Sequence, residues 1–196
     1  MKKRNISVPS KAYIALIIAT LCWGGNTVAG KLAVGHISPM AFTFLRWVFA
    51  VAIIFAISVP QLIKDWPVVK KRLPYFFVLG SVGYTAFNVF LYTALQHTSA
   101  INAAVIQAGI PMVIFVLNFI LFRTRVLFGQ IAGFCLTIAG VALLASHGDP
   151  VSLLQLEMNV GDAVMLLAVL VYAIYTVILR WKPTVDWRTL MAIPAF

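Results

Sequence analysis

Carboxylates are scarce in this 196-residue chain: Asp and Glu number five, at positions 65, 149, 157, 162 and 186, so none falls in the first 64 residues. Charge of either sign is sparse as well, at 10% of residues, where a soluble globular domain carries roughly 25%. The two cysteines, Cys22 and Cys135, both lie in apolar runs, which excludes a disulfide framework and leaves them as small apolar filler. No glycine-rich phosphate loop is present, which argues against ATP-driven work within the chain. The three histidines, His36, His97 and His147, show no metal-ligand spacing and read as ordinary interfacial residues. The apolar runs hold no facing acid and base pair, only amides and hydroxyls, so neither an intramembrane enzyme nor a cofactor is expected.

What the chain has is hydrophobicity: 62% hydrophobic residues and a mean hydropathy of +0.99. A spanning helix needs about 20 apolar residues, because the hydrocarbon core offers the backbone no hydrogen-bond partners. Six runs qualify, at 12–34, 40–59, 75–95, 100–122, 127–146 and 161–179, and a seventh starts near Thr189. The first run is longer than a signal-peptide core and lacks a convincing cleavage site, so it reads as a retained span. The net charge of +10 does not indicate nucleic acid, because the charges sort by loop. Lys2, Lys3, Arg4 and Lys11 precede span one; Lys64, Lys70, Lys71 and Arg72 lie between spans two and three; Arg123 and Arg125 lie between four and five; Arg180, Lys182 and Arg188 follow six. Alternate loops contain none. The positive-inside rule makes the N terminus cytoplasmic, and the expected partner is the lipid bilayer, with the segment 60–74 a basic, proline-punctuated cytoplasmic linker.

Polarity enters the membrane at Trp23-Gly24-Gly25-Asn26-Thr27-Val28-Ala29-Gly30-Lys31. Thr20, Gly24, Thr27 and Lys31 are spaced by four, three and four, one stripe of a helix, with Trp23 and Asn26 beside it. The pattern returns 149 positions later, where Trp23, Asn26, Thr27 and Lys31 superpose on Tyr172, Tyr175, Thr176 and Arg180, a hint of an internal repeat. Trp23 lies too deep for the interfacial aromatic belt, leaving cavity lining or helix packing. Arg46 is the clear intramembrane charge, and either braces helix ends through backbone carbonyls or lines a pathway. Lys31 either snorkels to the headgroups or faces the interior. Ser81, Thr85, Asn88 and Tyr92 form a second polar stripe, open to packing or pathway roles. Pro111 should kink span four and free a carbonyl near Gln107. The stripe Gly129, Gly133, Thr137 and Gly140 reads as close helix packing.

A family resemblance rests on Trp23 and Lys31, on Pro39 followed by Arg46-Trp47 and Ala50, and above all on Ala94-Leu95-x-x-Thr98-Ser99-Ala100-x-x-Ala103-Ala104 leading to Pro111, closed by Gln130-x-x-Gly133 and Gly140-Val141. In these the chain resembles the EamA family of the drug/metabolite transporter superfamily. The resemblance implies an all-α membrane fold of ten spans, two five-helix repeats of opposite orientation, with the substrate cavity between them at the midplane. It divides the chain into a cytoplasmic segment 1–11, a first repeat 12–146, an outer loop 147–160 and the start of a second repeat, 161–196. A complete member is longer, so a truncated product or partial sequence is expected, with the missing second repeat or a homo-oligomer as partner. The family commonly has a glutamate where this chain has Thr124. The implied function is an inner-membrane permease, an exporter of amino acids or similar small organic molecules; the alternative is a non-transporting scaffold or inactive fragment. The candidate cavity set is Trp23, Asn26, Thr27, Lys31, Arg46, Thr85, Asn88, Tyr92, Gln107, Pro111, Tyr172 and Tyr175. Trp23, Tyr172 and Tyr175 would stack on or gate the substrate; Asn26, Thr27, Asn88 and Gln107 would hydrogen-bond it. The absence of a carboxylate deep in a span counts against proton-coupled export of cations in the manner of small multidrug-resistance proteins, and Lys31 and Arg46 would instead suit a substrate carboxylate.

Overall fold

The computed structural model describes residues 10–124, 126–145 and 159–195. The expected outer loop 147–160, with His147, Asp149 and Glu157, falls almost wholly outside the described residues, as do Lys2, Lys3, Arg4 and Arg125. The described residues are helical, without strands: α1 (Ser10–Leu32), α2 (Pro39–Val69), α3 (Leu73–His97), α4 (Ala100–Phe122), α5 (Phe128–Ala145), α6 (Val160–Trp181) and α7 (Trp187–Ala195). Five of these, α1 to α4 and α6, are long and apolar enough to cross a membrane. Their outward faces carry the large apolar side chains, with Leu21 69%, Phe49 70% and Leu136 of α5 76% exposed. Water does not tolerate apolar patches of that extent, whereas lipid does. This is an all-α membrane protein.

Each element starts and stops for local reasons. Ser38 caps α2, its hydroxyl accepting from Ala41 N, with Pro39 in the first turn, where a missing N–H costs nothing. Ser99 caps α4 by accepting from Asn102 N at 3.0 Å. Asn159 and Asp162 form a reciprocal capping box at the start of α6. The hydroxyl of Thr98, at the end of α3, donates to the same Asp162 at 2.6 Å. Lys31 closes the other side of this corner, its ammonium donating to the carbonyls of Leu95 and Thr98 at 2.8 and 2.7 Å. The Ala94-to-Ala104 motif is therefore the junction at which α1, α3, α4 and α6 meet. Behind it lies the core, built by Leu91, Tyr92, Ala94, Leu95, Ala103, Met165, Ala168 and Val169.

Three expectations are corrected. The segment from Pro60 to Val69 is not a linker: α2 continues through both Pro60 and Pro67 to a length of 31 residues, about 46 Å at 1.5 Å per residue. An internal proline forfeits one backbone bond, and α2 tolerates it because its end is anchored on α7. There Asp65 accepts from the buried Thr189 hydroxyl at 2.7 Å and from Asp186 N at 3.0 Å. Asp186 in turn accepts from Arg188 N and Nε, and the Arg188 side chain holds its carboxyl below the ordinary range, so the helix starts on an ionised cap. Second, the glycine stripe of α5 is not packed among the described residues: a Cβ at Gly129, Gly133 or Gly140 would meet nothing within 4 Å, and the Thr137 hydroxyl turns back to Gly133 O. Close approach occurs instead in α3, where a side chain at Gly80 would collide with the Pro194 carbonyl of α7 and one at Gly83 with the Tyr175 ring.

The third correction concerns the polar stripe of α3. Residues Gly80–Ala86 form a π-helical turn, with Phe87 N bonding Val82 O five residues back. The extra residue per turn breaks the four-three-four register, so Ser81 and Thr85 are exposed while Asn88 and Tyr92 are buried. Span four breaks as its proline requires: the helix is interrupted at Ala108 and Gly109 and resumes at Ile110, with Pro111 in the first turn of the new segment.

Candidate functional site

Where the polar positions of α1, α2 and α3 converge, a partly buried cation is held by amides. The Arg46 guanidinium donates through Nη1 to Asn26 Oδ1 at 2.7 Å and through Nη2 to Asn88 Oδ1 at 2.8 Å. Tyr92 OH donates to the same Asn26 oxygen at 2.7 Å, and the guanidinium lies over the Tyr92 and Trp47 rings at 5.6 and 5.9 Å. A cation near the bilayer centre costs about 2.5 to 3.5 kcal/mol on insertion scales, and charge-assisted hydrogen bonds of this length offset part of that cost. Of the two roles open to Arg46, bracing backbone carbonyls is not what the geometry has: its hydrogen-bond partners are side chains.

The π-turn supplies the next layer. The Tyr84 carbonyl accepts from Asn88 Nδ2 at 2.8 Å and from Trp47 Nε1 at 3.2 Å, and the Trp47 and Tyr84 rings stack at 4.6 Å with only 4° between planes. Tyr84 approaches Tyr175 at 6.0 Å, Tyr175 approaches Tyr172 at 5.7 Å, and Tyr172 meets Trp23 edge-on at 6.1 Å and Phe87 at 4.9 Å. An aromatic arc thus runs from α1 across α6 and α3 to α2. Gly83 makes it feasible, since any side chain there would displace Tyr175.

The arc and the Arg46 cluster enclose a cavity of about 430 Å³, within the size range of small-molecule sites. Eight of the twelve candidate residues line it: Trp23, Asn26, Thr27, Arg46, Asn88, Gln107, Tyr172 and Tyr175. Tyr92 stands behind Asn26 and Arg46, and Pro111 is exposed on the far side of the α4 break. Lys31 neither snorkels nor reaches the cavity, since its ammonium is spent on the end of α3. Thr85 lies in a different groove of about 560 Å³ between α2, α3 and the end of α7. That groove is larger but lacks convergent polar groups; its other threonine, Thr43, donates to Pro39 O.

Sequence reasoning missed Tyr84, Phe87 and Met191 as lining residues, quoted Trp47 only as part of a motif, and treated Cys22 as filler although it lines the cavity. Tyr84 was hidden by the π-turn, which no residue spacing announces. Met191 depends on the docking of α7.

No group of His, Cys, Asp or Glu among the described residues could hold a metal ion. The positions paired by the 149-residue offset behave alike: Thr27 donates to Trp23 O and Thr176 to Tyr172 O. Lys31 ties α1 to α3, and Arg180 ties α6 to α4 through Asn118 at 2.9 Å.

Residues 10–146 match the model of the EamA-like transporter family. An uncharacterized transporter of Bacillus subtilis, YyaM, is 27% identical over 181 residues, which is 92% of this chain and 57% of that protein. An uncharacterized transporter of Archaeoglobus fulgidus is 26% identical over 167 residues, 85% of this chain and 56% of its own. The uncharacterized inner membrane transporter YicL of Salmonella typhimurium is 27% identical over 150 residues, 73% of this chain and 49% of its own. The chain thus spans about half the length of these curated relatives. No solved structure matches it.

Proposed function

Because the chain belongs to the EamA-like transporter family, we propose that the 430 Å³ cavity is the solute site of a permease moving small organic molecules, amino acids or compounds like them, outward across an inner membrane. The observation that carries this reading is a cavity with convergent amides, one cation and an aromatic arc inside a bundle whose outer surface is apolar. Polar groups inside a membrane are expensive, and a bundle that keeps them together around a space has a use for that space.

In this reading residues 12–146 form a first five-helix repeat and residues 161–196 open a second of opposite orientation, within a ten-helix fold. The recurrence of Trp23, Asn26, Thr27 and Lys31 as Tyr172, Tyr175, Thr176 and Arg180 at a 149-residue offset supports it. The basic segments at Lys64–Arg72 and after α6 support a cytoplasmic N terminus. Cavities at repeat interfaces serve alternating access.

The test is efflux from vesicles reconstituted with the protein and preloaded, in separate samples, with labelled amino acids and with labelled small organic acids. Efflux faster than from protein-free vesicles, and slowed by Asn88→Ala, is expected. Efflux equal to the protein-free rate contradicts the transporter reading and leaves a membrane scaffold.

A further inference from the structure

We propose that the cavity selects organic monocarboxylates without an amino group, the Arg46 guanidinium supplying the counter-charge and the aromatic arc taking the apolar body. The inference rests on the reading of this cavity as the solute site.

The first support is an uncompensated charge. Among the described residues no carboxylate lines the cavity, and Arg46 is the charged residue that does. Of the chain's five acidic residues, Asp65 serves Thr189 and Asp186, Asp162 serves Thr98 and Asn159, and Asp186 serves Arg188; Asp149 and Glu157 lie outside the described residues. The hydrogen-bond partners of Arg46 are neutral amides. A solute anion entering this space meets a positive charge whose present partners are neutral.

The second support is an imbalance between donors and acceptors. Asn26 Oδ1 already receives Arg46 and Tyr92, and Asn88 Oδ1 receives Arg46. The two asparagine oxygens nearest Arg46 are therefore turned to the guanidinium. Two buried donors of cavity residues, Arg46 Nε and Gln107 Nε2, have no acceptor. A buried donor left unpaired is costly, and a carboxylate oxygen is the group that would satisfy these two.

The third support is the count of charges. Lys31 is committed to Leu95 O and Thr98 O, so among the described residues Arg46 is the positive group left to this wall, and it matches a single negative one better than a dianion. An α-amino acid would bring its ammonium beside Arg46 with no carboxylate among the described lining residues to offset it. The remaining wall, from Trp23 through Tyr172 and Tyr175 to Tyr84, offers ring faces and edges to an apolar body.

Phenylacetate, phenylacetamide and phenethylamine share one apolar body and differ in charge. Equilibrium binding of each to the protein in lipid nanodiscs, by calorimetric titration, should rank phenylacetate at least about tenfold tighter than phenylacetamide, with phenethylamine weakest. In Arg46→Gln the acid and the amide should bind within about twofold of each other, whereas Arg46→Lys should keep the acid ahead. The wild-type ranking decides the matter even where a variant fails to fold. Binding of the amide or the amine as tight as that of the acid, an acid preference that survives Arg46→Gln, or no binding of phenylacetate overturns the proposal. Amino-acid efflux in the vesicle assay together with no acid preference would overturn this inference and leave the transporter reading standing; acid-selective binding without any efflux would do the reverse.

Discussion

The side chains around Arg46 do two jobs, and substitutions should separate them. Asn88 satisfies the guanidinium and, through its own NH2, the Tyr84 carbonyl. Asn88→Ala leaves a partly buried charge short of one partner, and should cost about 1.5 to 3 kcal/mol, the usual worth of a hydrogen bond to a charged group, as read by unfolding in detergent micelles. Lys31 forms charge-assisted bonds too, but to the end of α3 and away from the cavity. Lys31→Ala should therefore destabilise by a similar amount while leaving phenylacetate affinity within about twofold; a loss of affinity as large as that of Arg46→Gln would place Lys31 at the solute after all. Gly83→Ala should force Tyr175 out of the arc and weaken binding of any aromatic solute, measured by the same titration. The pairing of Arg46 with amides from two other helices was not legible in the sequence. Asn26 and Asn88 were each recognisable as polar intrusions in apolar runs, but their common partner depends on how α1, α2 and α3 turn against one another.

The elements differ in how far their sequence dictated them. The spans themselves were legible, because backbone satisfaction in lipid demands long apolar helices and loop charges mark their ends. The break in α4 followed from Pro111, for the same reason that proline breaks any helix. The π-turn in α3 had no such marker, and it rotates Thr85 away from the cavity and Tyr84 toward it. Nor did Pro60 and Pro67 end α2, because Asp65 fastens that end to the N terminus of α7. Asp65→Ala removes the acceptor of the buried Thr189 hydroxyl and of Asp186 N, a loss comparable to removing a helix cap, about 0.5 to 2 kcal/mol. Amide hydrogen exchange across Trp187–Ala195 should accelerate in that variant while exchange in α6 stays as it was. Unchanged protection of α7 would mean that Gly80 and Pro194, which touch on its other side, suffice to hold it.

At the scale of the molecule, the chain presents apolar side chains outward and gathers its amides, one cation and aromatic rings around a space between α1, α2, α3, α4, α6 and α7. The family and the all-helical membrane class were legible from short motifs and from hydropathy. The lack of a carboxylate deep in the spans was legible as well, but not that Lys31 is spent on the end of α3 and leaves Arg46 as the charged residue of this wall. The central claim is that this space admits polar solute from water within the span of the membrane, and the chain carries its own reporter. Of its two cysteines, Cys22 lines the cavity, whereas Cys135 lies on α5 beside an entirely apolar groove. In vesicles, the decisive measurement is modification of Cys22 in Cys135→Ser, and of Cys135 in Cys22→Ser, by a charged, membrane-impermeant thiol reagent, with and without phenylacetate. The account predicts that Cys22 reacts, that phenylacetate protects it, and that Cys135 stays unmodified. A Cys22 as inert as Cys135, or one whose reaction no solute slows, would contradict it.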